Sequence, residues 1–227
     1  MRHWIVVPAA GSGRRFGGDV PKQYLELGGR PVIVHALERL LCSNPAALVV
    51  VVAPGDEHWP RLTGRDDPRI LTAVGGGERV DSVRAGLALL AGRAAPEDPV
   101  LVHDAVRPCV ALDDIRALLA AADHPGGAVL AVPVADTLKR VDDSGHVAAT
   151  EARAGLWAAQ TPQLCRYGAL VAALAAAGGA AITDEAAALE AAGHRPRVVP
   201  GRRDNIKITW PADLALAAAI LAAQEGA

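Results

Sequence analysis

Leu48-Val49-Val50-Val51-Val52 is apolar at every position. A strand with one wet face alternates apolar and polar residues, so an unbroken branched run signals a strand covered on both sides, as in a parallel sheet. Working outward, Ile5-Val6-Val7 precedes it, and Ile70 to Val74 and Val100 to Val102 follow, all short and rich in branched residues. Helix-period segments lie between and after them: Val32 to Leu41, Val80 to Leu90 and Leu112 to Ala122. Pro31 suits a first helical turn, and Leu37, Leu40 and Leu41 then share a face. Strands alternating with helices predict a layered α/β domain.

The pattern changes after Val134. Asp142-Asp143-Ser144-Gly145 offers a tight turn between two alternating segments, Thr137 to Val141 and His146 to Ala149, which predicts a protruding β-hairpin arm over 134–157. Two alanine-rich helices, a strand at Arg197-Val198-Val199 and a helix opening at Pro211 complete the chain. With no internal repeat and no linker, residues 1–227 read as one domain carrying an arm.

The chain has 227 residues, 51% apolar and 21% charged, the balance of a globular protein that buries about 70% of its unfolded surface. Its formal charge of -2 supplies no basic field for a polynucleotide, so nucleic acid is disfavoured as a partner. Cys42, Cys109 and Cys165 are odd in number and widely spaced, which fits neither a disulfide framework nor a zinc knuckle. The apolar run Trp4 to Val7 stops at Pro8, too short for a signal-peptide core, and the alanine-rich runs at 169–181 and 212–223 fall short of the roughly 20 residues of a membrane span. A cytoplasmic protein with no membrane partner is expected.

Ligands of open parallel sheets sit beyond the carboxyl ends of the strands. The first such end reads Pro8-Ala9-Ala10-Gly11-Ser12-Gly13-Arg14-Arg15-Phe16-Gly17-Gly18 and continues to Pro21-Lys22-Gln23. Small residues let backbone N–H groups approach phosphate oxygens, so a polyphosphate cradle is predicted. The glycines follow G-x-G-x-x-x-G, which is neither the dinucleotide fingerprint nor a P-loop, and Pro54-Gly55 stands where a ribose-binding carboxylate belongs. An NAD-binding oxidoreductase therefore fits less well. Arg15 and Lys22 are cations placed to meet a triphosphate, although each alone is an ordinary surface charge.

The second end, Gly75-Gly76-Gly77-Glu78-Arg79-Val80-Asp81-Ser82, allows close approach to a base or ribose; equally, it is a turn with Asp81 or Ser82 capping the next helix. The third is His103-Asp104-Ala105-Val106-Arg107-Pro108. A carboxylate directly after a buried strand suits Mg²⁺, so Asp104 is the metal candidate, against the plainer reading of a loop carboxylate paired with Arg107. His103 reads as a packed or loop histidine. The three lysines of the chain, Lys22, Lys139 and Lys207, all lie in or beside these candidate segments.

These blocks resemble the 2-C-methyl-D-erythritol 4-phosphate cytidylyltransferase family, CTP-using enzymes of non-mevalonate isoprenoid synthesis. The likeness spans nearly the whole chain. Its marks are the opening loop with Pro21-Lys22-Gln23-Tyr24, then Arg79-x-Asp81-Ser82-Val83, His103-Asp104-Ala105-x-Arg107-Pro108, Asp136-Thr137-x-Lys139, Gln160-Thr161-Pro162-Gln163, Thr183-Asp184-Glu185 and Asp204-Asn205-Ile206-Lys207. The resemblance implies a Rossmann-like, mostly parallel sheet with helices on both faces, and an arm that interlocks two subunits as a homodimer. It implies Mg²⁺-dependent transfer of CMP from CTP to methylerythritol phosphate. Arg15 and Lys22 would stabilise the transition state, and Arg153 and Lys207 would position the acceptor. Asp104, Arg107, Thr137 and Thr161 would line the substrate site, with Asp104 on the metal. Pro8, Ala9, Ala10, Gly11, Gly13, Gly76 and Ser82 would hold the nucleotide. Gly77 departs from the family, some members of which carry a polar or acidic residue near the base. A cytidylyltransferase for a related polyol such as ribitol 5-phosphate shares the nucleotide half, and a non-catalytic nucleotide sensor is a rival of another class.

Overall fold

The computed structural model describes residues 1–11, 20–62, 65–177 and 182–226. In chain order the elements are β1 (Trp4–Pro8), β2 (Glu26–Leu27), β3 (Arg30–Pro31), α1 (Val32–Leu41), β4 (Ala47–Val52), β5 (Ile70–Val74), α2 (Arg79–Leu89), β6 (Pro99–Val102) and α3 (Leu112–Ala120). There follow β7 (Ala128–Pro133), β8 (Leu138–Val141), β9 (Val147–Glu151), β10 (Trp157–Arg166), α4 (Tyr167–Ala176), α5 (Glu185–Ala191), β11 (Arg197–Pro200) and α6 (Ala212–Glu225).

Seven strands form one sheet in the order β11-β7-β10-β6-β1-β4-β5. The pairings β1 with β4, β1 with β6, β4 with β5 and β7 with β11 are parallel. Leu48 to Val51 of β4 are wholly buried, as double-sided cover requires. The period-2 alternation of a strand then sorts its neighbours. Ile5, Val7, Leu48 and Val50 pack on one face with Leu37 and Leu40 of α1 and Ile115 and Leu118 of α3. Trp4, Val6, Val49 and Val51 pack on the other with Leu87 of α2, Leu170 and Leu174 of α4 and Leu189 of α5. Helices thus cover both faces, as expected. Pro31 sits just before α1, at ψ 142°, rather than inside its first turn.

The sequence reading anticipated neither β7 nor β10. β10 lies antiparallel between β6 and β7, and its pairing with β7 shifts register between Ala159 and Gln163. That irregularity holds Gln160-Thr161-Pro162, and bulges of this kind re-aim side chains beside active sites. The predicted arm is the β8–β9 hairpin. Asp142 Oδ1 accepts from the backbone N–H groups of Ser144 and His146 and so shapes its turn. Val141 and Val147 on the arm are more than half exposed. α6 packs Ala217 and Leu221 against Leu27, Val32, Val106, Cys109 and Ile208, a third cluster that anchors the segment after β11. No helix among the described residues is long and apolar enough to cross a membrane.

Candidate active site

The carboxyl ends of β1, β5 and β6 converge on one pocket. Pro8, Ala9, Ala10 and Gly11 line it from the end of β1, with Lys22, Gly76, Gly77, Ser82, Asp104 and Lys207 around it. The loop after β1 is pinned from behind. Ala9 N–H donates to Val51 O at 2.7 Å, and the buried Gln23 amide donates to Ala9 O at 2.7 Å and Gly11 O at 3.2 Å. Lys22 Nζ donates to Ile208 O at 3.1 Å. Tyr24, next in the same short turn, donates its hydroxyl to Asp56 at 2.7 Å and stacks on His58.

Close packing explains two glycines of the second loop. A Cβ on Gly75 would lie 2.5 Å from Ser82 Oγ, and one on Gly76 2.5 Å from Asp81 Cβ, whereas one on Gly77 meets nothing within 4 Å. The departure at Gly77 therefore leaves open space that a side chain would fit. The cap of α2 falls on Glu78, whose N–H donates to Asp81 Oδ2 at 3.3 Å; Asp81 and Ser82 lie inside the helix. Sequence spacing had suggested Asp81 or Ser82 for that role.

Asp104, 7% exposed, is the node of the site. Its Oδ1 accepts from Arg79 Nε at 3.1 Å, and its Oδ2 faces Lys207 Nζ at 2.8 Å and Arg107 Nε at 3.8 Å. Pairing with Arg107 is present, but it is the longest of the three contacts. Behind Arg79, Glu185 takes the guanidinium fork at 2.7 and 3.1 Å. Three cations against two carboxylates leave one net positive charge here. Burial works to raise the Asp104 pKa, but the fields of Arg79 and Lys207 win and hold it well below the usual carboxylate range. Burial opposes charge on Arg79 as well; Glu185 and Asp104 outweigh it and keep that guanidinium firmly protonated.

The backbone N–H of Asp104 donates to Thr161 Oγ1 at 3.0 Å, and that hydroxyl lies 3.3 Å from His103 Nδ1. His103 Nε2 sits 3.0 Å from Arg107 O, an arrangement that assigns the ring proton to Nε2. Burial pushes the His103 pKa down to about 4, so the ring is neutral and structural at pH 7. Asn205 completes the support by donating Nδ2–H to Thr161 O at 2.9 Å.

A second pocket lies against the first. It is lined by Arg107, Gln160, Thr161, Gln163, Thr183 and Asp184, and it shares Arg79, Asp104 and Lys207 with its neighbour. The bulged start of β10 is what brings Gln160 and Thr161 to this wall. Arg15 and Gly13 fall outside the described residues. Thr137 and Arg153 are exposed on the arm, where Arg153 donates to Ala135 O, and neither lines the two pockets. Sequence reasoning gave no role to Arg79, Glu185 or Gln23, although each stood in a quoted block. The overlooked signal was Glu185 at the first position of an alanine-rich helix, on the side that α5 buries with Ala186, Ala188 and Leu189.

No group of three or more His, Cys, Asp or Glu gathers among the described residues; Asp104 is the carboxylate that the two pockets share, and Asp184 lines the second pocket with it. That donor set fits Mg²⁺, which is commonly bound by one or two carboxylates while keeping waters and phosphate oxygens.

A family model described as 2-C-methyl-D-erythritol 4-phosphate cytidylyltransferase matches residues 3–223. Relatives bearing that name include one from Chromohalobacter salexigens, 53% identical across 97% of this chain and 90% of its own, and one from Dechloromonas aromatica, 52% identical across 99% of each. Among solved structures, the Francisella tularensis protein of that name superposes with a TM-score of 0.84 at 33% identity, covering 97% of this chain and all of the other. The Thermus thermophilus protein gives 0.81 at 31% identity, with 97% and 98% covered.

Proposed function

The chain belongs to the 2-C-methyl-D-erythritol 4-phosphate cytidylyltransferase family, and on that premise we propose that it transfers CMP from CTP to 2-C-methyl-D-erythritol 4-phosphate, giving 4-diphosphocytidyl-2-C-methyl-D-erythritol and pyrophosphate. The observation that carries this reading is the pair of pockets divided by the Arg79–Asp104–Lys207 wall. One is bounded by small residues and glycines that suit a nucleotide. The other is polar and suits a polyol phosphate. A ribose-binding carboxylate is missing at the end of β4, which leaves the NAD-binding alternative unfavoured.

In the reaction a phosphate-monoester oxygen attacks the α-phosphorus of CTP. A new P–O bond forms, the bond from the α-phosphorus to the β-bridging oxygen breaks, and pyrophosphate leaves with the electron pair. The attacking group is already anionic near neutral pH, so no general base is required, and neutral His103 is committed to backbone and Thr161 partners. Catalysis then consists of holding the reactants in line and countering phosphate charge. A cation about 4 Å from a phosphate contributes about 4 kcal/mol at an effective dielectric near 20, before desolvation is subtracted. We assign Lys22 and Arg15 to the transition state and Lys207 to the acceptor phosphate, with Thr161 and Arg107 lining its pocket. We assign Asp104 as the carboxylate that holds Mg²⁺; bound there, the ion would neutralise negative charge on the phosphates.

Arg153 and Thr137 on the arm are assigned to the site of a neighbouring subunit, which makes the protein a homodimer with shared sites. The exposed Val141 and Val147 on the hairpin support an arm that docks on a second copy. We place the enzyme in the cytoplasm, where its three free cysteines are stable as thiols.

The deciding experiment measures pyrophosphate release from CTP, UTP, ATP and GTP with methylerythritol phosphate and with ribitol 5-phosphate. Release is expected with CTP and methylerythritol phosphate. Release that ignores the acceptor, or that needs ribitol phosphate, overturns the assignment. Mixing Arg153→Ala and Lys22→Ala proteins should recover activity, and no recovery argues against shared sites.

A further inference from the structure

Glu185 has no part in the mechanism above, yet it is 2% exposed and both its oxygens accept from Arg79. Burying a carboxylate is costly unless a partner compensates it, so such a pair is retained with a definite geometry. Here the geometry is bidentate, which fixes the plane of the guanidinium as well as its position. With Nη1 and Nη2 on Glu185 and Nε on Asp104, three of the five N–H donors of Arg79 are engaged by described residues. The Arg79 side chain stays 29% exposed and lines both pockets, while Glu185 lines neither. The cluster carries the net positive charge noted above, and Arg79 stands where the two pockets meet.

We propose that Arg79 contacts a substrate phosphate from the wall between the pockets, and that Glu185 is the positioning residue that aims it. This rests on the cytidylyltransferase reading, since that reading supplies the phosphates on both sides of the wall. Without Glu185, Arg79 would keep Asp104 as its carboxylate partner and the fork would lose its fixed plane. Lysine at position 79 would keep the charge but could not span Glu185 and Asp104 together.

The test compares wild type, Arg79→Lys, Arg79→Met, Glu185→Gln and the Arg79→Met/Glu185→Gln double variant. CTP affinity is read by calorimetry and kcat/KM by pyrophosphate release, with thermal unfolding in parallel. Arg79→Lys and Glu185→Gln are each expected to lose about tenfold or more in CTP affinity or in kcat/KM. Because Glu185 acts through Arg79, adding Glu185→Gln to Arg79→Met should cost less than a further twofold. Additive losses, or a Glu185→Gln protein equal to wild type in both readouts, overturn the proposal. If Glu185→Gln does not fold, Arg79→Lys decides alone, and unchanged affinity and turnover there refute it. A wild type that binds CTP but releases no pyrophosphate sinks the functional reading and leaves this inference to be judged on affinity.

Discussion

Replacing Asp104 by Asn keeps the shape of the side chain and removes the charge on which Arg79, Lys207 and Arg107 converge. At the observed separations of 2.8, 3.1 and 3.8 Å, the gross attractions are each roughly 4 to 6 kcal/mol at an effective dielectric near 20. Desolvation of a nearly buried carboxylate and mutual repulsion among the cations offset most of this sum. Lys207 is 42% exposed, so its share is screened further, whereas Arg107 at 11% is not. Breaking a buried pair by removing one partner typically costs about 3–5 kcal/mol, and that is the expected loss. For a chain of this length it corresponds to a fall in Tm of roughly 6 to 20 °C. The assay is urea unfolding at pH 7.5 and low salt, run beside pyrophosphate release. Adding Lys207→Met to Asp104→Asn should restore part of the stability by removing an unpaired cation, while turnover stays at least about 10²-fold down. An Asp104→Asn protein within about 1 kcal/mol of wild type would refute the idea that these cations depend on Asp104.

Lys22→Ala should lower turnover by on the order of 10²-fold or more, as loss of an electrostatic stabiliser does, and normal pyrophosphate release would remove Lys22 from the chemistry. Asp114 is largely buried and its Oδ2 lacks a hydrogen-bond partner, so burial raises its pKa above the unfolded value. A raised folded-state value means the protonated group favours folding at low pH, and that contribution is lost as pH rises through the folded pKa. Asp114→Asn should therefore raise Tm at pH 7–8, with the gain shrinking as pH falls below the ordinary carboxylate range; a lower Tm at pH 8 contradicts this. Cys109 is wholly buried and its thiol pKa is pushed up to about 12, so a thiol reagent should label exposed Cys42 first and reach Cys109 only on unfolding, as mass spectrometry would show.

The sheet was legible where burial on both faces erased all alternation. Leu48 to Val52 could hardly be anything but a central strand, and Val100 to Val102 followed by the same argument, whereas Ile70 to Val74 is a half-exposed edge strand that showed only through its branched residues. β10 escaped because Trp157-Ala158-Ala159-Gln160-Thr161 mixes alanine with polar residues and has no period, since its bulge breaks the alternation that identifies a strand. β7 reads Ala-Val-Leu-Ala-Val-Pro, where two alanines and a closing proline dilute the branched run, and it pairs with β10 and β11. At the site, Asp104 could be picked out because it follows a strand and Lys22 because it follows the glycine loop, while Lys207 stood out as one of only three lysines and through the family block Asp204-Asn205-Ile206-Lys207. Glu185 could not, because its value depends on Arg79, which lies 106 residues earlier in the chain. Local patterns carry no record of such partners.

The hydrogen bond from Lys22 to the carbonyl of Ile208 joins positions 186 residues apart. In the order of synthesis, the loop after β1 and Lys22 come first, and the carbonyl that holds Lys22 comes 186 residues later. Lys207 and the carbonyl that steadies Lys22 arrive together, and α6 follows to fasten them against Val32 and Val106. A chain cut after β11 would keep all seven strands of the sheet and lose both Lys207 and the carbonyl that holds Lys22.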